Sequence, residues 1–346
     1  MARRLLWASL AIAPLTVLLD LVAKPSDALL FLLAAAALIP LAWLIGEATE
    51  HAGEHTGPRI GGLLNASFGN APELIIALIA ISDSLPNVVR GSLAGIVVSN
   101  ILLVLGAALI VGGDAELDRR SLIMQLGLVV TAVVLLLIPS IPGWHGDPDR
   151  HSLALLGIVP AVILLVLYIV MTFRGVRGTS EGHEGAAGGW SLKVSLLALA
   201  AATVATAAIS EILVHSLEAF AHAAHLSEFF ISFVIVAVVG NAAEHGGAVV
   251  IASRGKMKLA TEIAISSSAQ VALLVIPVVA LVSFAFADPL TLAFRAVELG
   301  AMGAAAVFVA IVIRDGRSTR PEGILLVSVY AVIALVFLTA VGDRGG

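Results

Sequence analysis

The chain reads as an all-α polytopic membrane protein of about eleven transmembrane helices: two inverted five-helix repeats plus an extra N-terminal helix. Three observations carry that reading. The 346 residues are 60% hydrophobic and 12% charged, with a mean hydropathy of +1.07; soluble domains sit near half apolar and a quarter charged. Apolar runs long enough for the roughly 20 helical residues of a bilayer crossing recur along the whole chain. A short polar motif occurs twice inside those runs, as Gly69-Asn70-Ala71-Pro72-Glu73 and Gly240-Asn241-Ala242-Ala243-Glu244.

Taken in order, the runs bounded by Gly, Pro and charges place crossings near 5–22, 27–50, 60–82, 87–112, 121–141, 151–173, 192–221, 227–252, 258–285, 289–313 and 321–342. The first starts with Arg3 and Arg4 and has no small-x-small cleavage site before Lys24-Pro25, so it reads as a membrane helix rather than a removed signal. The basic residues test the count. With the N-terminus cytoplasmic, only Lys24, Arg90, Arg150, Arg295 and Arg344 of the 19 Lys and Arg fall outside, as the positive-inside rule asks. A wrong count scrambles that alternation from the error onward. The Gly-rich segment 174–191 reads as a flexible cytoplasmic linker. The expected organisation is therefore an N-terminal helix in 1–26, a first repeat in 27–173, the linker, and a second repeat in 192–346. An odd number of crossings per repeat inserts the second one upside down. The chain has no cysteine, which excludes disulfides, thiolate metal sites and cysteine nucleophiles.

The repeated motif carries the chemistry. A carboxylate deep in a membrane helix costs about 2.5–3.5 kcal/mol, and matching positions in two halves point to a cation pathway built on an internal repeat. Glu73 and Glu244 stand about 18–24 Å into their crossings, near mid-depth. They are the expected ligands of a hard cation and the expected proton carriers. Asn70 and Asn241, three residues before, share their helix face and add amide oxygens. Gly69 and Gly240 loosen the backbone so that carbonyls join the shell, and Pro72 removes a donor. Oxygen ligands of this kind suit calcium. The plainer reading, in which each Glu only caps or pairs within the bundle, lacks an intramembrane Lys at matching depth.

Further polar residues flank the motif. Glu47, Glu50 and Glu54 share a face at the end of the second crossing, with Ser210-Glu211 and Glu218 as their repeat mates. Glu50 and Glu211 read as a proton or cation route, and a solvated helix end is the alternative. Ser92, Ser99 and Asn100 follow the first motif, and Ser266, Ser267, Ser268 and Gln270 the second. The serines also suit close helix packing, whereas Asn100 and Gln270 are placed to hydrogen-bond the central carboxylates. Gln125 is a weaker case. His245, next to Glu244, is a candidate pH gate or a satisfied core histidine. Glu298 is read as mid-helix and paired with Arg295. His51-Ala-Gly-Glu54-His55 matches the H-x-x-E-H zinc-peptidase pattern, but it is short and gives the inverted repeat no role.

The runs Gly61–Leu74, Ser99–Gly106, Val239–His245 and Ser267–Leu273 resemble, in order and spacing, bacterial calcium/proton antiporters of the CAX type, a branch of the cation/calcium exchanger superfamily. The resemblance covers nearly the whole chain. It implies export of cytosolic Ca2+ driven by inward H+ flow, by alternating access at a midplane site. Glu73 and Glu244 would bind ion and proton there, with Asn70 and Asn241 beside them and Glu50 and Glu211 at the preceding acidic positions. It implies no cofactor beyond the transported Ca2+ and H+, no enzymatic activity, the lipid bilayer as surroundings and no nucleic-acid partner. The compact, Ala/Gly-rich chain fits a multi-pass place in the cell inner (plasma) membrane, with a vacuolar membrane as the alternative. A sodium-coupled exchanger is the alternative within the superfamily. The linker departs from the longer acidic helix of relatives, having only Glu181 and Glu184.

Overall fold

The computed structural model describes residues 2–178 and 189–340, with side chains throughout these ranges except at 2–3, 57–63, 65–67, 173–178, 243 and 340. We label its helices α1 (Arg4–Ala23), α2 (Asp27–Phe68), α3 (Ala71–Ser82), α4 (Pro86–Gly112), α5 (Arg119–Gly143), α6 (His151–Gly178), α7 (Leu192–Ala224), α8 (Glu228–Gly240), α9 (Ala242–Ser253), α10 (Met257–Ala285), α11 (Ala296–Val312) and α12 (Arg320–Ala340). A two-residue antiparallel ribbon, β1 (Ala115–Glu116) with β2 (Arg317–Ser318), ties two connections. Among the described residues nine helices are long and apolar enough to span a membrane, and ten if the bent pair α8–α9 is one span.

Three expected elements change. The crossings at 27–50 and 60–82 divide elsewhere: α2 stays helical through the Gly57-Pro58 region to Phe68, and the break falls at Gly69-Asn70. The cluster Glu47–Glu54 therefore lies inside a helix rather than at its end. The crossing expected at 289–313 begins only at Ala296. Of the expected linker, 179–188 lie outside the described residues; α6 continues to Gly178, and Trp190 sits 5.9 Å from the Trp7 ring and 5.2 Å from His51.

The described chain packs as two compact units, each drawing on both halves of the sequence. The first comprises 1–79, 166–224 and 239–243. In it α2 runs along α7, with Ile45 and Ala48 buried against Leu199 and Ala202 and Phe31 stacked on Phe220 at 4.4 Å. The opposite face of α7 carries apolar side chains such as Val204, 70% exposed. Exposure of that kind on so apolar a helix fits a lipid-facing surface.

The second unit comprises 80–165, 225–238 and 244–346. Two glycine contacts set its helix spacing. A Cβ at Gly95 of α4 would overlap the Phe233 carbonyl oxygen of α8, and one at Gly323 of α12 would lie 2.6 Å from the Gly106 carbonyl oxygen. Small residues at such crossings let backbones touch where lipid offers no hydrophobic drive to association.

The non-helical stretch before α11 is buried: Leu290, Thr291, Leu292, Ala293 and Phe294 are each under 4% exposed. Irregular backbone at membrane depth needs partners from the protein, and side chains supply them. Leu290 N–H donates to Ser283 Oγ at 2.8 Å, Ser140 Oγ donates to the Leu292 carbonyl at 3.1 Å, and Trp144 Nε1 donates to the Phe294 carbonyl at 2.8 Å. Arg90, 1% exposed, donates to Asp149 at 2.7 Å, Thr291 Oγ1 at 2.8 Å and Asn87 Oδ1 at 2.9 Å.

Candidate functional site

Both motifs sit at breaks between helices. Asn70 lies between α2 and α3, is 1% exposed, and its carbonyl accepts the Leu74 N–H at 3.1 Å, the first bond of α3. Glu73, 4% exposed, is in the first turn of α3. The second copy repeats the construction. Asn241 lies between α8 and α9 and is 1% exposed, and Glu244 is in the first turn of α9, with the two segments bent by 57°. A carboxylate at a helix N-terminus meets free N–H groups and the positive end of the helix dipole. Asn and Glu therefore do not share one continuous helix face, as their spacing alone suggests. The Asn ends one segment and the Glu opens the next.

In the first unit Gly240 comes close to α3: a Cβ there would lie 3.4 Å from Ile76 Cδ1. Asn241 holds its side chain inside this packing, and neither Oδ1 nor Nδ2 has a hydrogen-bond partner among the described residues. Buried amides are almost always satisfied, so this one is equipped to meet something besides protein.

In the second unit a relay of hydrogen bonds surrounds Glu244. His245 Nε2 donates to Asn100 Oδ1 at 2.8 Å, and Asn100 Nδ2 donates to Ser267 Oγ at 2.9 Å. Ser267 in turn hydrogen-bonds the Glu244 carboxyl, whose Oε2 is otherwise buried without a partner among the described residues. Asn100, expected to reach a central carboxylate directly, does so through Ser267, a serine that equally suited close helix packing. Each bond in such a chain polarises the next. Asn100 opens the π-helical turn Asn100–Val104 and Gln270 immediately precedes the turn Val271–Val275, and such turns gather at functional sites. Ser99, by contrast, bonds only the Ile96 carbonyl of its own helix, and Ser92 the Val89 carbonyl.

The flanking acids divide. His51 lies between Glu47 at 3.7 Å and Glu54 at 3.2 Å, while Glu50 is exposed. His55 Nε2 donates to the Trp190 carbonyl at 2.6 Å. The two histidines of the zinc pattern thus serve different partners, and among the described residues no three His, Asp or Glu gather as a metal site. Glu211 lines a cavity of about 370 Å3 with Asp20, Asp27 and His215, residues the sequence reading passed over. Glu218 is exposed near His222, 4.0 Å away. Glu298 is corrected from mid-helix to the first turn of α11, where its Oε2 accepts the Arg295 backbone N–H at 2.6 Å, while the Arg295 guanidinium covers the Phe229 ring at 4.9 Å.

Comparison with known proteins bears on the whole chain. The family profile described as sodium/calcium exchanger protein matches residues 26–174 and 194–339. The Ca(2+)/H(+) antiporter ChaA of Bacillus subtilis (strain 168) is 38% identical over 339 residues, 94% of this chain and 95% of its own. The solved structure of native YfkE superposes with a TM-score of 0.83 at 36% identity, covering 95% of this chain and 98% of that one. The crystal structure of the H+/Ca2+ exchanger CAX shares the fold at a TM-score of 0.77 and 16% identity, covering 98% and 91%. The all-α polytopic fold read from the sequence is the fold of these structures.

Proposed function

Because this chain belongs to the sodium/calcium exchanger protein family, we propose that it is a secondary active antiporter that moves Ca2+ out of the cytosol in exchange for H+. The observation that carries this is a construction made twice: a buried Asn at a helix break, followed by a Glu in the first turn of the next segment. The relatives named Ca(2+)/H(+) antiporter, matched over nearly their full length, support the choice of ions.

Glu73 and Glu244 are the carboxylates that take up cation or proton. The two states exclude each other, since protonation removes the charge that holds Ca2+ and bound Ca2+ favours the deprotonated form. Asn70 and Asn241 offer amide oxygens to the cargo, beside Gly69 and Gly240. The relay His245–Asn100–Ser267 orients Glu244, with Gln270 just before the next π-helical turn and Ser99 holding its helix. Glu50 and Glu211, both exposed, stand on the approach. The acidic faces of α2 and α7 rock to open one side and then the other. The two five-helix repeats, with α1 added, are the frame for that motion. The protein lies in the inner (plasma) membrane with its N-terminus cytoplasmic, as the excess of Lys and Arg on one side supports, and it needs no cofactor besides the transported ions.

A sodium-coupled exchanger is the second reading, favoured by the match to the sodium/calcium exchanger protein family. Uptake of Ca2+ into inside-out vesicles under an imposed proton gradient separates the two. Uptake that collapses with an uncoupler supports proton coupling. Uptake that ignores the uncoupler and follows a sodium gradient contradicts it.

A further inference from the structure

Glu262 takes no part in the account above, yet it is a carboxylate inside a membrane-crossing helix. It lies five residues past the start of α10, about 8 Å in at 1.5 Å per residue, and it is half-buried. Gln125 of α5 donates Nε2–H to Glu262 Oε2 at 2.5 Å and also reaches Ser121 Oγ at 3.1 Å. Gln125 Oε1 is buried and has no hydrogen-bond partner among the described residues. A Gln–Ser pair would hold α5 to α10 without any charge. A carboxylate inside the end of a span is still costly to bury, and such a residue marks an ion route more often than a staple. Here it comes with a buried acceptor oxygen at its side.

The rest of the helix face agrees. Ser266 and Gln270 follow Glu262 at i+4 and i+8, on one face, and all three are half-buried. Ser267, about 7.5 Å of rise beyond Glu262, is the residue that holds Glu244. Below Glu262, Lys258 and Leu259 lie one turn away and line a cavity of about 410 Å3 with Glu116 and Lys256. The basic residues at that end, Arg254, Lys256 and Lys258, mark it as the cytoplasmic one. Their charge repels a divalent cation, so capture there calls for a carboxylate just inside.

We propose that Glu262, oriented by Gln125, is a cytoplasmic-side docking site for the transported divalent cation, which it passes along the Ser266–Gln270 face. This rests on the antiport reading above. The test is Ca2+ transport by the full chain in vesicles of both orientations, with Glu262→Gln against wild type. The half-saturating Ca2+ at the cytoplasmic face is expected to rise about tenfold, the size of a lost local attraction. The value at the opposite face and the maximal rate should stay within about twofold, and Glu262→Asp should restore most of the loss. Gln125→Ala, which releases the carboxylate, should raise the half-saturating Ca2+ on the same face only. A merely structural staple alters both faces equally or lowers the maximal rate alone, and either result overturns the proposal. Wild-type transport with Glu262→Gln unchanged overturns this proposal and leaves antiport standing. No Ca2+ transport in wild type overturns both.

Discussion

Arg90→Met is expected to loosen the second unit. Arg90 is the largest fully buried side chain described, and three side chains depend on it: Asp149, Thr291 and Asn87. Methionine keeps much of the aliphatic stem but removes the charge and every donor. Breaking a buried ion pair costs about 3–5 kcal/mol, because the remaining partners stay desolvated. Asp149 keeps 37% of its side chain exposed, so water recovers part of its charge and the lower end, about 3 kcal/mol, applies. At about 2–4 °C per kcal/mol for a folding unit of this size, the unfolding midpoint in detergent should fall by about 6–12 °C. The double variant Arg90→Met with Asp149→Asn should recover part of that loss, since it removes the stranded carboxylate. A midpoint within about 2 °C of wild type would refute the reasoning, and so would a double variant that is simply the sum of the singles.

Other expectations follow from the same geometry. Ser267→Ala removes the hydroxyl that links Asn100 to Glu244 and should lower the rate of Ca2+ uptake at limiting Ca2+ about tenfold, the worth of one hydrogen bond to a charged group. Ser99→Ala should stay within about twofold, because its hydroxyl bonds only its own helix; equal losses in the two variants would contradict the relay. Gly95→Ala should sharply reduce the monodisperse yield in size-exclusion chromatography, since its Cβ would overlap the Phe233 carbonyl oxygen; a normal yield would contradict the close α4–α8 approach.

Much of this molecule is legible in its sequence, and the exceptions share a cause. Crossing positions such as 87–112 and 192–221 are plain because apolar length alone decides them. The candidate pair Glu73 and Glu244 stands out because a carboxylate in an apolar run is costly and recurs at matching positions in two halves. The reading fails where partners come from far along the chain. Gly57-Pro58 looks like a loop, yet α2 continues through it to Phe68, so local punctuation yields to context. Residues 289–295 look helical, but Ser140, Trp144 and Arg90 satisfy their backbone or side chains from outside any sequence window. Ser267 reads equally as a packing or a functional serine in sequence, and the chain from His245 through Asn100 to its hydroxyl is visible only in three dimensions. Glu262 carried a visible signal, a lone carboxylate eight residues before Gln270 in an apolar helix, but its meaning needed Gln125 across the helix pair.

The central claim is that Glu73 and Glu244 are the groups that exchange protons for Ca2+. Its most direct test is proton-driven 45Ca2+ uptake into inside-out vesicles by wild type, Glu73→Gln and Glu244→Gln, at equal protein in the membrane. The account predicts uncoupler-sensitive uptake by wild type and background uptake by both variants. Full proton-driven uptake by either variant would contradict it.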